Sequence, residues 1–295
     1  MEENAVISKQ KKSRIWEIDF LRGFCILLMV VDHFFWDLTY IRSIASSIFS
    51  NYGQIDQSTL MDWQQLGSAY WSWPVRVYAH YIVSALFFIL SGISCCLSKN
   101  NFIHSLKIII GSIIFQAATW VIYFVAYNNG QPGQIVAIFN VLLALGVGVL
   151  AVALLRMIKI PYHGQLMIAL GLVIFIISMA FNLYSIQLLS TDWYGSKWFH
   201  GWIKWDDVGA LLIGRECWGS DYFPIIPCLA YTFIGCGIGE LVYEKRKTSL
   251  MPRGDNFWHK PLSFLGRYTM WVYLLHQVVL FAGLIIACLC LGYRF

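Results

Sequence analysis

The chain has 295 residues, of which 58% are hydrophobic and only 13% are charged. A soluble domain is typically about 45–50% apolar and about 25% charged, so this composition excludes an ordinary soluble protein. The net charge of +5 is too modest to predict nucleic-acid binding, and its distribution along the chain is more informative than its size.

Apolar runs of about 20 residues recur along the sequence, and each is long enough to cross a hydrocarbon layer of ~30 Å. They predict an all-α fold, a polytopic transmembrane bundle of about seven long spans, to which short re-entrant pieces such as 210–213 could be added. Residues 1–14 are predicted to form a basic cytoplasmic tail, and residues 15–295 a single transmembrane domain. The predicted spans are 20–40, 75–97, 105–127, 134–155, 165–186, 223–243 and 262–291.

The distribution of Lys and Arg predicts the orientation of this bundle. If the N-terminus is cytoplasmic, 15 of the 21 basic residues fall on the inner side and six on the outer side. Cytoplasmic loops are expected to carry such an excess of positive charge. The loops 41–74 and 187–222 are rich in Trp, which collects at membrane interfaces, and both are expected on the outer side.

Predicted span one carries ionisable residues where a membrane helix should be apolar. Arg22 and His33 are eleven residues apart, so they share one face of a helix and are separated along its axis by roughly 16 Å. Buried groups of this kind usually mark a functional site. Asp37 is expected to hydrogen-bond the second ring nitrogen of His33, which would fix its tautomer and raise its basicity. Asp32 points about 100° away from His33 and is expected to face a neighbouring helix.

His276, in the last predicted span, is the second candidate for catalysis. It follows Arg267 by nine residues, which places it about 13 Å deep, close to the depth of His33 below Arg22. Two histidines at similar depth could meet across the bundle. Two structural alternatives remain open: a lone His276 bonded to a carbonyl, and a cluster around His33 that only holds helices together.

The inner ends of the spans carry candidate residues for binding an anionic donor. Arg22, Arg267 and Lys99 could together hold the phosphates of a donor that arrives from the cytoplasm. The alternative for Arg22 is an ordinary arginine that reaches the interface and pairs with Asp19, three residues earlier.

The outer mouth of predicted span six carries candidate residues for binding a polar acceptor. Asp221 and Tyr222 could orient a sugar by hydrogen bonds, and the Trp residues of the preceding loop could add stacking surface. Interfacial anchoring accounts for those tryptophans equally well.

The eight cysteines give no sign of a metal site or of a disulfide framework. Seven of them lie in or beside apolar runs, where Cys usually behaves as a small hydrophobic residue. The sequence contains no CxxC pair and no Cys/His cluster with zinc spacing, so no metal is predicted.

Five stretches, in this order along the chain, resemble the catalytic-domain family of heparan-alpha-glucosaminide N-acetyltransferase. The Arg-x10-His spacing in the first span also resembles the wider transmembrane acyltransferase superfamily, which includes bacterial O-acetyltransferases of surface polysaccharides. The resemblance covers roughly residues 14–280. The five stretches are 14–23, 27–33, 87–94, 220–227 and 266–277.

This resemblance implies transfer of an acetyl group from cytoplasmic acetyl-CoA to an amino or hydroxyl group of a sugar or glycan on the outer side of a bacterial cell membrane. It implies that His33 is the acid–base residue and that Arg22 lies near the donor. Bacterial members often have a histidine in span four, where this chain has Leu143. A proton-coupled transporter or permease, which would use the same buried Asp and His residues, is the alternative, and a non-catalytic interaction protein is a third possibility.

Overall fold

The computed structural model describes residues 15–295 except 99, 127–131, 133–134, 159, 181–196, 200, 220, 245 and 247. The predicted basic tail at 1–14 and the predicted donor-binding residue Lys99 lie outside the described residues.

The described part of the chain is almost entirely α-helical, which confirms the predicted fold class. A short parallel pair of strands, β1 (Lys197–Phe199) and β2 (Glu216–Trp218), lies in the second long loop region, with one short helix between the two strands in the chain. The helices are α1 (Trp16–Thr39), α2 (Ile41–Ile48), α3 (Ser58–Trp71), α4 (Pro74–Leu97), α5 (Asn101–Ala126), α6 (Val141–Met157), α7 (His163–Ala180), α8 (Trp205–Ile213), α9 (Ile225–Gly239), α10 (Lys260–Arg267) and α11 (Thr269–Cys290).

Among the described residues, five helices are long and apolar enough to cross a membrane: α4, α5, α7, α9 with its π-helical extension Glu240–Glu244, and α11. The prediction of about seven such spans was therefore too high. Predicted span one corresponds to α1, whose Asp and Glu residues and Arg22 lower its hydropathy. Predicted span four corresponds to α6, which has only 17 residues.

Two predicted spans also differ from the structure at their boundaries. Helix α6 begins at Val141 because the Asn140 side chain accepts a hydrogen bond from the Leu143 backbone N–H at 3.0 Å and caps the helix. The last predicted span is two helices, since the backbone leaves helical geometry at Tyr268, between α10 and α11.

The buried core is centred on α4, α6 and α9, with side chains such as Phe88, Val149 and Phe233 fully or almost fully enclosed. Helix α9 packs along both α4 and α7, and α5 packs along α6. Helix α1 lies along α10 and also contacts α3, α4 and α11, so it meets elements from both halves of the chain.

The crossing of α1 and α10 brings the two backbones into direct contact. A Cβ added to Gly23 would lie 1.7 Å from the Leu262 carbonyl oxygen, and one added to Gly266 would lie 1.8 Å from the Asp19 carbonyl oxygen. Glycine is required on both sides of this contact, because no side chain fits between the helices.

We expect Gly23→Ala to push α10 away from α1 and to destabilise the protein by at least about 3 kcal/mol, the upper range for overpacking a core. Gly283→Ala is the matched control, since a Cβ at this position in α11 meets nothing within 4 Å. Thermal unfolding of the two variants in detergent measures the difference. Equal stability of both variants would contradict the described crossing.

Candidate active site

His33 of α1 and His276 of α11 lie side by side in the interior of the bundle. Their ring centroids are 4.8 Å apart and the rings are nearly perpendicular, at 86°. His276 is 8% exposed, and His33 is partly buried. The structure thus brings together the two histidines whose similar depths suggested that they could meet.

Main-chain carbonyls set the tautomers of both rings. His33 Nδ1 lies 2.9 Å from the Met29 carbonyl oxygen, and His276 Nδ1 lies 2.6 Å from that of Tyr273. Because a carbonyl oxygen only accepts hydrogen bonds, each Nδ1 carries a proton, and in the neutral ring Nε2 keeps its lone pair. This geometry supplies two imidazole nitrogens that can accept a proton.

His276 Nε2 is buried and has no hydrogen-bond partner in the part of the chain that the structure describes. A buried acceptor without a partner costs free energy, so such a group in a native protein calls for an explanation, such as a catalytic role or a bound water or ion. A bound hydroxyl or amine would donate the missing hydrogen bond, so the geometry favours a polar ligand beside this ring.

Asp37 does not orient His33 as the sequence suggested. Its two carboxylate oxygens accept hydrogen bonds from Gln277 Nε2 at 2.8 and 3.0 Å, and the residue is only 2% exposed. The physical reason lies in helix geometry: side chains lean towards the helix N-terminus, so His33 reaches the carbonyl of Met29 one turn earlier. Asp37 instead ties α1 to α11 beside the histidine pair.

Asp32 faces the neighbouring helices, in agreement with its predicted direction. It accepts hydrogen bonds from Arg76 Nε at 2.7 Å and from the Tyr70 hydroxyl at 3.1 Å, and His80 Nδ1 lies 3.4 Å away. The Arg76 guanidinium also lies 3.5 Å above the ring of Trp71. Burial and the carboxylate of Asp32 raise the pKa of Tyr70 to about 12, so this phenol remains a donor at neutral pH. Asp32 thereby holds α3 and α4 against the helix that carries His33.

Asp221 and Tyr222, which were predicted to act together on an acceptor, have different environments. The Tyr273 hydroxyl donates a short hydrogen bond to Asp221, and Asp221 also lies 3.5 Å from the Val141 backbone nitrogen at the start of α6. Tyr222 is 3% exposed and donates to the Leu211 carbonyl oxygen at 2.5 Å, so its hydroxyl does not face an open mouth. Burial raises the pKa of Tyr222 well above its usual value.

Tyr273 is the functional candidate that the sequence analysis did not single out. Its carbonyl holds His276 and its hydroxyl holds Asp221, so one residue connects the histidine pair to the turn before α9. The sequence could have pointed to Tyr273, because it lies three residues before His276 and the two residues therefore share one face of α11.

The two predicted donor-binding arginines that the structure describes differ in exposure. Arg22 donates to the Ser94 hydroxyl in a short hydrogen bond and to the Leu90 carbonyl oxygen at 3.3 Å, so it is directed at α4. Arg267 Nε donates to Asp19 at 3.2 Å, and the Arg267 side chain remains 42% exposed. Arg267 is therefore the more accessible cation of the two.

A second acid–histidine–hydroxyl arrangement occurs at the start of α10. His259 lies 2.9 Å from both Ser263 Oγ and Asp255 Oδ1, and its ring centroid is 4.5 Å from that of Trp16. Ser263 has no exposed surface, so no substrate can reach its hydroxyl. This arrangement packs α10 against the start of α1.

A family model described as heparan-alpha-glucosaminide N-acetyltransferase, catalytic, matches residues 14–61 and 57–278. These segments cover most of the chain and include all five stretches on which the sequence resemblance rests, so that resemblance is confirmed. Comparison with curated proteins and with solved structures finds no match.

We expect Asp32→Ala to cost about 3–5 kcal/mol of stability, because it leaves the guanidinium of Arg76 buried without its counter-charge. The Arg76 side chain is 3% exposed. The double variant Asp32→Ala/Arg76→Met removes both charges and should be more stable than the single variant Asp32→Ala.

Unfolding in detergent measures both variants, and Asp62→Ala, at an exposed position of α3, is the control with little expected effect. Additive effects in the double variant would contradict the pairing.

Proposed function

The chain belongs to the heparan-alpha-glucosaminide N-acetyltransferase catalytic family, and we propose that it transfers an acetyl group from acetyl-CoA to an amino or hydroxyl group of a sugar or glycan. Family membership and the five apolar helices support an integral membrane acetyltransferase. Acetyl-CoA reaches the site from the cytoplasmic side, where α1 begins. The acceptor reaches it from the opposite side of the cell membrane.

The buried pair of histidines is the observation that carries this proposal. With each Nδ1 committed to a carbonyl, Nε2 of both rings is an acceptor nitrogen. An acetyl acceptor has a hydroxyl or amine proton to donate, which matches this pair of acceptors. A positioned histidine base contributes about 10²–10⁴-fold to such a transfer.

His33 is the proposed general base. As the acceptor oxygen or nitrogen attacks the thioester carbonyl, Nε2 of His33 takes the acceptor proton. The new C–O or C–N bond forms, the C–S bond breaks, and the imidazolium returns the proton to the departing thiolate of coenzyme A. His276 accepts a hydrogen bond from the acceptor and orients it, and Tyr273 and Asp221 position His276 in turn.

The donor lies along α1 in this mechanism. Arg22 and His33 are on one face of an uninterrupted helix, separated by roughly 16 Å along its axis. A donor with a charged end, a long thin arm and a reactive thioester suits this separation. Arg267 binds phosphate at the exposed end, and Arg22, directed at α4, adds positive potential next to it.

We expect His33→Gln to lower acetyl transfer by about 10²–10⁴-fold while leaving the fold intact, since it removes the base and keeps a polar side chain of similar size. The assay uses protein reconstituted in vesicles, labelled acetyl-CoA on one side, and a methyl glycoside of glucosamine or of glucose on the other. His104→Gln, at an exposed position in α5, is the control and should retain activity.

Full transfer by His33→Gln would end the proposed role of this residue. Uptake of a solute without consumption of acetyl groups would favour a transporter instead. The two glycosides separate N-acetylation from O-acetylation.

We expect Arg267→Gln to raise the KM for acetyl-CoA by about 3–10-fold with kcat unchanged, because a partly exposed cation contributes uniform binding of substrate and transition state. Arg42→Gln is the control, since Arg42 lies at the opposite end of the bundle, where it donates to Gln57. A fall in kcat at constant KM would contradict a role in donor binding.

A further inference from the structure

A cluster of thiols, a carboxylate and an imidazole lies outside the histidine site, at the end of the bundle where α4 and α9 end and α7 begins. The ligand atoms of Cys96, Cys236 and Glu240 all lie within 4.8 Å of one another. Cys236 Sγ is 3.7 Å from Glu240 Oε1. A sulfur and an oxygen bound to one tetrahedral zinc ion are about 3.6 Å apart, so the spacing suits a shared metal ion.

His163 of α7 lies beside the cluster as an outer partner of the Glu240 carboxylate. Its Nδ1 lies 2.9 Å from both carboxylate oxygens of Glu240, and its Nε2 is buried without a hydrogen-bond partner among the described residues. The two thiolates and the carboxylate are three ligands of the types that bind zinc, and a water molecule would complete a tetrahedral site.

The local backbone leaves space for the thiols. A Cβ added to Gly239 would lie 2.7 Å from Cys96 Sγ, so glycine at this position makes room for the sulfur. The helix changes from α to π geometry at Glu240, which supplies the carboxylate. Single π turns inside helices frequently occur at functional sites.

Arg156 balances the charge of the cluster. Its Nε donates to Glu240 Oε1 at 2.9 Å, and the guanidinium also contacts Glu244 at 3.1 Å. Zn²⁺ with two thiolates and the Glu240 carboxylate carries one net negative charge, which the guanidinium of Arg156 neutralises. Without the metal, the thiols are protonated and neutral, and the charges of Glu240 and Arg156 also add up to zero. Binding with release of two protons therefore adds no net charge to a poorly solvated region.

We propose that Cys96, Cys236 and Glu240 bind a single zinc ion that joins α4 to α9, with Arg156 and His163 of α7 as outer partners of the carboxylate. The site is distinct from the histidine pair, so its test is independent of the proposed acetyl transfer. Outer hydrogen-bond partners of this kind orient the metal ligands and tune affinity.

The test uses the full chain in detergent, treated with a chelator and then titrated with Co²⁺ alone. We expect one equivalent of Co²⁺ to produce a thiolate-to-metal charge-transfer band, and Zn²⁺ to displace it. Cys96→Ser and Cys236→Ser should each lower Co²⁺ affinity by about 100-fold or more, and His163→Gln by about 10-fold or more.

Cys228→Ser is the matched control, because Cys228 is also buried in α9 but is not part of the cluster. It should bind Co²⁺ like the unmodified chain. Absence of the band in the natively folded chain, or an equal loss in Cys228→Ser, would overturn the proposal.

A second measurement does not depend on the folding of any variant. Zn²⁺ should slow alkylation of Cys96, which is the more exposed of the two thiols, in the unmodified chain, as located by peptide mass spectrometry. An alkylation rate of Cys96 that Zn²⁺ leaves unchanged would also overturn the proposal.

Discussion

An ionisable side chain inside a membrane bundle is stable only if a partner replaces the water it has lost. Helix α1 meets this condition separately for three of its acidic groups. Asp19 contacts Arg267 of α10, Asp32 contacts Arg76 of α4, and Asp37 contacts Gln277 of α11. Each partner comes from a different helix, so the polar groups of α1 determine which helices surround it. The position of His33 relative to His276 follows from these fixed contacts.

Helices α10 and α11 contact α1 in different ways. Helix α10 touches α1 backbone to backbone at Gly23 and Gly266, whereas α11 meets α1 through side chains, including the histidines. The break at Tyr268 allows this difference, because a single straight helix could not change its distance from α1 so abruptly. The tight contact anchors the pair, and the looser contact leaves room for side-chain chemistry.

Arguments from helical rise alone located the centre of the candidate site. Because an α-helix has a fixed rise per residue, counting residues from Arg22 and from Arg267 placed His33 and His276 at similar depths in the membrane. The partner of Asp37 was predicted wrongly, since i+4 spacing gives proximity but not the direction in which His33 leans. The sequence also could not predict the burial of the Tyr222 hydroxyl, because its acceptor, the Leu211 carbonyl oxygen, comes from α8 and is brought close only by the fold. Likewise, Cys96 and Cys236 are 140 residues apart in the sequence, so no motif based on residue spacing could predict that they lie close together.

Both imidazoles are held by carbonyl groups of the peptide backbone, one turn or less away on their own helices. Every amino acid offers the same backbone carbonyl at those positions. Substituting the side chain of Met29 or of Tyr273 should therefore leave the tautomers of the two histidines unchanged. Under the proposed mechanism, the side chains around the histidine pair, and with them the preferred acceptor, could therefore change while the base is kept.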